Sequence, residues 1–180
     1  MDYYRFKSTW TKEDADNGGV AKVKTEDLIS AESYTEAEKI AYQIIESQNR
    51  TKLDPLFSFE IIKTNIRELL YNPEEMDTDE TTVKNRVYAF FTSEDAEVGI
   101  YAVDALIYED DDNGEQKSRK NTLYVAAPSS AKAQKIAVKK MSYEDLDYII
   151  RAVKFDKAKS IVWTSEEYGR AVKLYDTINA

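Results

Sequence analysis

Glu36-Ala37-Glu38-Lys39-Ile40-Ala41 and, 96 positions later, Lys132-Ala133-Gln134-Lys135-Ile136-Ala137 read as the same stretch of helix written twice. Sliding the chain against itself by that offset lays Arg5 to Ile45 on Tyr101 to Met141 without a gap. Twelve positions are identical, where chance at one offset would leave roughly three. They include Glu13 and Glu109, Asp14 and Asp110, Asn17-Gly18 and Asn113-Gly114, Ala31 and Ala127, and Ser33 and Ser129.

The matched residues are those that make structure. Asn-Gly favours a two-residue hairpin turn in which both residues take positive φ, so each copy is expected to open with a β-hairpin. The arms are Tyr3 to Lys12 with Lys22 to Ala31, and Ile100 to Tyr108 with Arg119 to Ala127. Charged residues flank both turns and leave room for longer loops. A helix follows each hairpin. In the first copy Ser33 with Glu36 forms a capping box, and Ala37, Ile40, Ala41, Ile44 and Ile45 make one apolar stripe. In the second, Pro128 precedes a Ser129-Ser130 cap, Lys132 replaces the glutamate, and Ala133, Ile136, Ala137 and Met141 form the stripe.

Each copy then returns to extended chain, at Leu56 to Thr64 and at Tyr148 to Phe155. Asn72 to Glu80 is acidic, apolar-poor and broken by Pro73, the composition of an exposed connection, and Val87 to Thr92 is expected to add a strand to the second copy. Ser165 to Asn179 reads as a last amphipathic helix through Tyr168, Ala171, Val172 and Tyr175, capped by Thr164 with Glu167. The expected fold is therefore α+β: two duplicated β-hairpin, helix and strand units packed pseudo-symmetrically, plus a C-terminal helix. The units are 1–72 and 83–180, joined by an acidic linker at 73–82.

The segments Leu28-Ile29-Ser30-Ala31-Glu32-Ser33-Tyr34-Thr35-Glu36-Ala37 and Leu123-Tyr124-Val125-Ala126-Ala127 resemble the Leu-Val-x-Ala-x-Ser-x-x-Glu-Ala helix start of an uncharacterised bacterial and bacteriophage family, classed as a domain of unknown function. The likeness covers most of Tyr3 to Val162 and leaves the C-terminal helix outside; Ser93 to Gly99 departs from the pattern as an insertion. It implies a phage or mobile-element context and carries over no activity and no site residue.

Composition narrows the chemistry. With 42% apolar residues, 13 Tyr, 6 Phe and 2 Trp, and only 5 Gly and 3 Pro, the chain is globular with little linker. A formal charge of -9 discourages indiscriminate contact with nucleic acid or anionic lipid. The absence of cysteine fits a reducing cytoplasm, and neither a signal peptide nor an apolar run of membrane length is legible. Without histidine there is no His triad, His metal ligand or His base, and neither glycine-rich phosphate motif occurs. No catalytic residue, cofactor or metal is assigned. Glu109-Asp110-Asp111-Asp112-Asn113-Gly114 imitates a calcium loop, but its twelfth position is Lys120 where a bidentate glutamate is required, so it reads as a solvated turn.

One charged feature stands out. From Gln116 to Lys159 eleven Lys or Arg oppose Glu144, Asp145, Asp147 and Asp156. Lys132, Lys135 and Lys139 share a helix face away from Ile136, and Lys117, Arg119 and Lys120 lead into it. These six are the candidate nucleic-acid-binding residues, with Tyr124, Tyr148 and Phe155 available for stacking if they point outward; the plainer reading is a solvated lysine face with the aromatics in the core. The function expected is a non-enzymatic binding or assembly module, a cytoplasmic phage or mobile-element accessory protein with a protein partner and no membrane. The alternative is a single-stranded nucleic-acid-binding protein using the lysine face. The sequence leaves the partner and the oligomeric state open.

Overall fold

The Asn-Gly pairs do turn the chain, but not as two-residue loops. In the computed structural model, which describes residues 1–14, 16–50, 57–92, 95 and 97–180, strands β1 (Asp2–Glu13) and β2 (Val20–Ala31) close at Glu13 opposite Val20. Helix α1 (Tyr34–Ser47) follows, then β3 (Ser58–Lys63) and β4 (Leu69–Tyr71). A 3-10 turn at Pro73–Glu75 leads into β5 (Met76–Asp79) and β6 (Val87–Phe91). The second hairpin is β7 (Gly99–Asp110) with β8 (Gln116–Ala127), closing at Asp110 opposite Gln116. Helix α2 (Ser130–Tyr143), strands β9 (Asp147–Asp156) and β10 (Ser160–Trp163), and helix α3 (Ser165–Asn179) complete the chain.

Among the described residues of the turns, Gly18 at φ 68° and Gly114 at φ 76° enter the left-handed region, and Asn17 and Asn113 do not. The loops are longer because side chains satisfy their amides. Asn17 accepts from Gly19 N–H at 2.8 Å, and Asp111 accepts from Asn113 and Glu115 N–H, each at 2.9 Å. The first loop holds one residue more than the second, so the ungapped correspondence needs a correction. The second arms and helices run at an offset of 96, but the first arms run at 97: buried Tyr4 and Phe6 answer to Tyr101 and Val103, both core residues. A single-residue slip would exchange the two faces of a strand, so burial fixes the register.

The described residues form two compact units, interleaved along the chain where the sequence reading divides it once at 73–82. The first comprises Met1–Arg67, Asp77–Phe90 and Lys157–Tyr168. Its sheet runs β3-β1-β2-β10-β6-β5, with β10 parallel to β2. Helix α1 buries the expected Ala37, Ile40, Ala41, Ile44 and Ile45 against Tyr4, Phe6, Ile29 and Ile61. Ser33 Oγ accepts from Glu36 N–H at 3.2 Å, and the Glu36 carboxylate accepts from Glu32 N–H at 2.7 Å, closing the box one residue before the cap. Val87 to Phe90, most of the strand expected at Val87 to Thr92, belongs here: β6 pairs with β10. Its apolar Val87, Tyr88 and Ala89 are all buried, and composition says that such a strand lies inside a sheet without saying which one. The acidic stretch is likewise ordered. Asn72 Oδ1 receives Glu74 N–H at 3.1 Å, starting the 3-10 turn, and β5 is an edge strand of this sheet.

The second unit comprises Glu68–Met76, Phe91–Asp156 and Gly169–Ala180. Its sheet runs β4-β8-β7-β9, with β4 parallel to β8. Helix α2, capped by Ser129 Oγ on Lys132 N–H at 3.2 Å, buries Ala133, Ile136, Ala137 and Met141 over Tyr101, Val103, Leu123 and Val125. Leu174, Tyr175 and Ile178 of α3 join that core. Thr164 caps α3 with Glu167 as expected, its Oγ1 accepting from Glu167 N–H at 3.2 Å. Leu56 and, within the insertion, Ser93, Glu94 and Ala96 lie outside the described residues.

Candidate functional site

The six candidate lysines and arginines all fall in the second unit, but folding separates them. On α2, Lys132 and Lys135 are exposed, and Tyr143, 59% exposed, continues their stripe through Lys139 at helical spacing. Lys139 itself is half-buried and donates to Asn179 Oδ1 at 2.7 Å, so α3 holds it. On β8 the hairpin arm engages two more: Lys117 pairs with Asp111 at 2.9 Å and Arg119 with Glu109 at 3.0 Å. Strand side chains alternate between faces, so Lys117 and Arg119 lie on the α2 side with Leu123, whereas Lys120 lies on the opposite face with Thr122.

The aromatics divide: Phe155 is 45% exposed, and Tyr124 is half-buried on the face of β8 that carries Lys120. Tyr148 packs against the α2 core, and Phe155 sits edge-on to Tyr101 with ring centroids 5.4 Å apart. A Cβ at Gly99 would lie 2.5 Å from the Phe155 ring, so a side chain at the first residue of β7 would require that ring to shift.

Lys120 instead lines a pocket of about 230 Å³ on the sheet face away from α2, together with Asp104, Ala105, Leu106 and Arg151. A β-bulge shapes it. Asp104 pairs with Ala152 and Ala105 with Ile150, so Arg151 has no opposite number on β7 and is turned toward the pocket. Asp104 is buried and occupied: Thr122 Oγ1 donates to it at 2.7 Å and Lys154 Nζ at 3.0 Å. The Thr122 hydroxyl and the Lys154 ammonium hold its carboxyl below the usual carboxylate range against the effect of burial, with Lys120 adding its charge. Ile149, 52% exposed, stands opposite Leu106 on the same face.

Two buried ionic clusters escape a periodicity-based reading. In the second unit Lys140 occupies a core position of α2 and is only 5% exposed. Its ammonium donates to Glu144 and lies 3.4 Å from Glu68. Burial pulls its pKa down, but Glu144 and Glu68 outweigh that and leave it raised. The i, i+4 spacing of Lys140 and Glu144 was the available signal. In the first unit Asp27 is buried and accepts from Arg50, Tyr88 and Ser160, and Arg50 also donates to Ser8 at 2.7 Å and Gln48 at 2.6 Å. Burial and the Asp27 charge push the Tyr88 hydroxyl pKa up. Nothing in the spacing of Ser8, Asp27, Arg50, Tyr88 and Ser160 announces this cluster, because only the tertiary fold brings them together.

Among the described residues no group of His, Cys, Asp or Glu is arranged to hold a metal ion, and no helix is long and apolar enough to cross a membrane. Fold and site define an α+β protein of two interleaved units, the second carrying a cationic helix stripe on one side of its sheet and a cation-lined pocket on the other. Residues 2–164 match the family described as Domain of unknown function (DUF4494), and the chain belongs to that family. No curated protein and no solved structure matches it.

Proposed function

We propose that this chain is a non-catalytic binding or assembly module, a cytoplasmic accessory protein of a bacteriophage or mobile element, which contacts a protein partner through the exposed stripe of α2. The observation that carries this reading is the placement of Tyr143, 59% exposed, on the same stripe as Lys132 and Lys135. An exposed tyrosine is the kind of anchor that interfaces favour, and the two lysines beside it suit an acidic partner surface. The alternative is single-stranded nucleic acid, with phosphates on the lysines and a base stacked on Tyr143.

The module is read as an internal duplication whose second copy became the contact surface. Supporting this are the matched helix ends: Arg50 N–H bonds to Ile45 O and Leu146 N–H to Met141 O, across Asn49 at φ 50° and Asp145 at φ 54°. The strand exchange supports it too. β4 follows the first hairpin, helix and strand but pairs beside β8, with Leu69 against Tyr124; β10 follows the second set but pairs beside β2, with Ile161 against Leu28. The α1 counterparts of Lys132, Lys135, Lys139 and Tyr143 are Glu36, Lys39, Gln43 and Ser47, of which Gln43 and Ser47 bond to the backbone of Lys84 and Thr82. The stripe is thus a property of the second copy alone.

The test is a pull-down from native cells with wild type and Lys132→Glu/Lys135→Glu, identifying both protein and nucleic acid; Lys139 is spared because it is bonded within the fold. A protein lost on charge reversal supports the partner reading. Nucleic acid lost on charge reversal, with binding that falls steeply as salt rises, favours the alternative. Material captured equally by both proteins removes the α2 stripe as the contact surface.

A further inference from the structure

We infer that the pocket on the outer face of the second sheet, built by Asp104, Leu106, Lys120 and Arg151, is a binding site for a small phosphate-bearing anion. This inference is independent of the α2 stripe, which lies on the other side of the sheet. Three cations, Lys120, Arg151 and Lys154, face one carboxylate there. The carboxylate is already committed, because Asp104 is buried and neutralised by Lys154 at 3.0 Å with Thr122 at 2.7 Å. Two positive charges are left over, Lys120 from β8 and Arg151 from β9, and they come to the same pocket from strands on either side of β7.

The backbone accounts for the aim of the arginine. A regular ladder would give Arg151 a partner on β7; the extra residue of the bulge leaves it unpaired and turns it over the pocket. A planar guanidinium can hold two phosphate oxygens at once, and the neighbouring ammonium supplies a point charge. Leu106 gives the pocket an apolar wall that limits competition from water, and the volume of about 230 Å³ suits a phosphate with a small appended group rather than a long polymer. Asp104 is spent on Lys154 and Thr122, so that pair adds no net charge and Lys120 with Arg151 keeps the local balance positive within an acidic chain.

The experiment is calorimetric titration of the full-length protein at low salt with inorganic pyrophosphate, adenosine monophosphate and a short single-stranded oligonucleotide. Both small phosphates are expected to bind. Arg151→Gln should weaken that binding by about tenfold or more and Lys120→Gln by several-fold, while Arg151→Lys recovers only part, since it restores charge without the fork. Arg151 and Lys120 are exposed, so unchanged thermal melting is expected and serves as the folding control. Lys132→Gln/Lys135→Gln should leave the small-phosphate binding intact. Absence of binding to either small phosphate, binding indifferent to Arg151→Gln, or response to the oligonucleotide alone would each overturn the site. The first two outcomes leave the proposal for α2 untouched, and a response to the oligonucleotide alone is assigned to or away from the α2 stripe by Lys132→Gln/Lys135→Gln.

Discussion

Asp27 Oδ2 lies 3.1 Å from Arg50 Nη1, and the two side chains are only 4% and 2% exposed. Ninety-six positions further on, the chain has Leu123 and Leu146 in or against the core of the second unit. One unit therefore carries a buried ion pair where the other carries two leucines. Removing one partner strands a buried charge and should cost about 3–5 kcal/mol, whereas replacing both restores an apolar contact. Asp27→Leu and Arg50→Leu are each expected to be strongly destabilising, and the double variant to return to within about 2 kcal/mol of wild type, the remainder reflecting the Ser160 and Tyr88 hydroxyls that lose their acceptor. Urea denaturation of the four proteins measures the coupling; additive losses would mean that the two side chains contribute separately.

Lys140 poses the reverse experiment. It sits at the α2 position that answers to Ile44 of α1, and its partners Glu68 and Glu144 are half-exposed and keep their solvation if the lysine is removed. Lys140→Met should be neutral or stabilising within about 1 kcal/mol, because the volume is retained and the desolvated ammonium disappears. A raised folded-state pKa makes the stabilising contribution of this lysine complete below its unfolded value near 10.5 and lost as pH rises through the folded one. Wild type should accordingly lose stability at strongly alkaline pH more steeply than Lys140→Met, which chemical denaturation across that range would read.

Ile40 and Ile136 are 4% and 2% exposed at matching turns of α1 and α2. Ile40→Asp or Ile136→Asp places an unpaired carboxylate in a closed core and should cost more than about 4 kcal/mol, enough to unfold the chain at ambient temperature. Circular dichroism melts give the answer directly. Unchanged melting in either variant would contradict the burial of that helix face.

Asp79, at the end of β5, has its carboxyl pKa held down to about 2, first by the Thr81 hydroxyl and amide and then by those of Thr82. A depressed folded-state value means that the contribution is present above the unfolded value near 4 and is lost as pH falls through about 2. Asp79→Asn should lower stability at neutral pH by of order 1 kcal/mol, discounted for solvent screening, and flatten the acid limb of the profile. A wild-type acid limb unchanged by the substitution would show that other carboxylates set it.

The helices were legible because their evidence is local. Ser33 and Ser129 ahead of apolar residues at helical spacing specify a start and a buried face, and those faces are the ones buried. The hairpins were legible for the same reason, although their loops run to 14–19 and 111–115 where Asn-Gly favours two residues. What periodicity could not assign is partnership: Val87, Tyr88 and Ala89 read as a buried strand, but whether they join the first sheet or the second depends on β10, more than seventy residues downstream. The pocket was half visible, with Lys120 among the candidates and Arg151 not, since a bulge is a property of how β9 lies against β7 and leaves no mark in the spacing.

By itself, then, the sequence determined an α+β chain of two hairpin-and-helix runs with a C-terminal helix, and it concentrated the surplus basic charge in the second run, because caps, turns and apolar periods act over a few residues. Only the tertiary structure decided that β4 and β10 cross to complete the sheets of opposite units, that Lys139 is spent on Asn179 while Lys132 and Lys135 stay open, and that Lys120 turns away from them to join Arg151. Strand pairing and side-chain facing are settled by burial summed over contacts that are distant in the chain, and no local pattern encodes that sum.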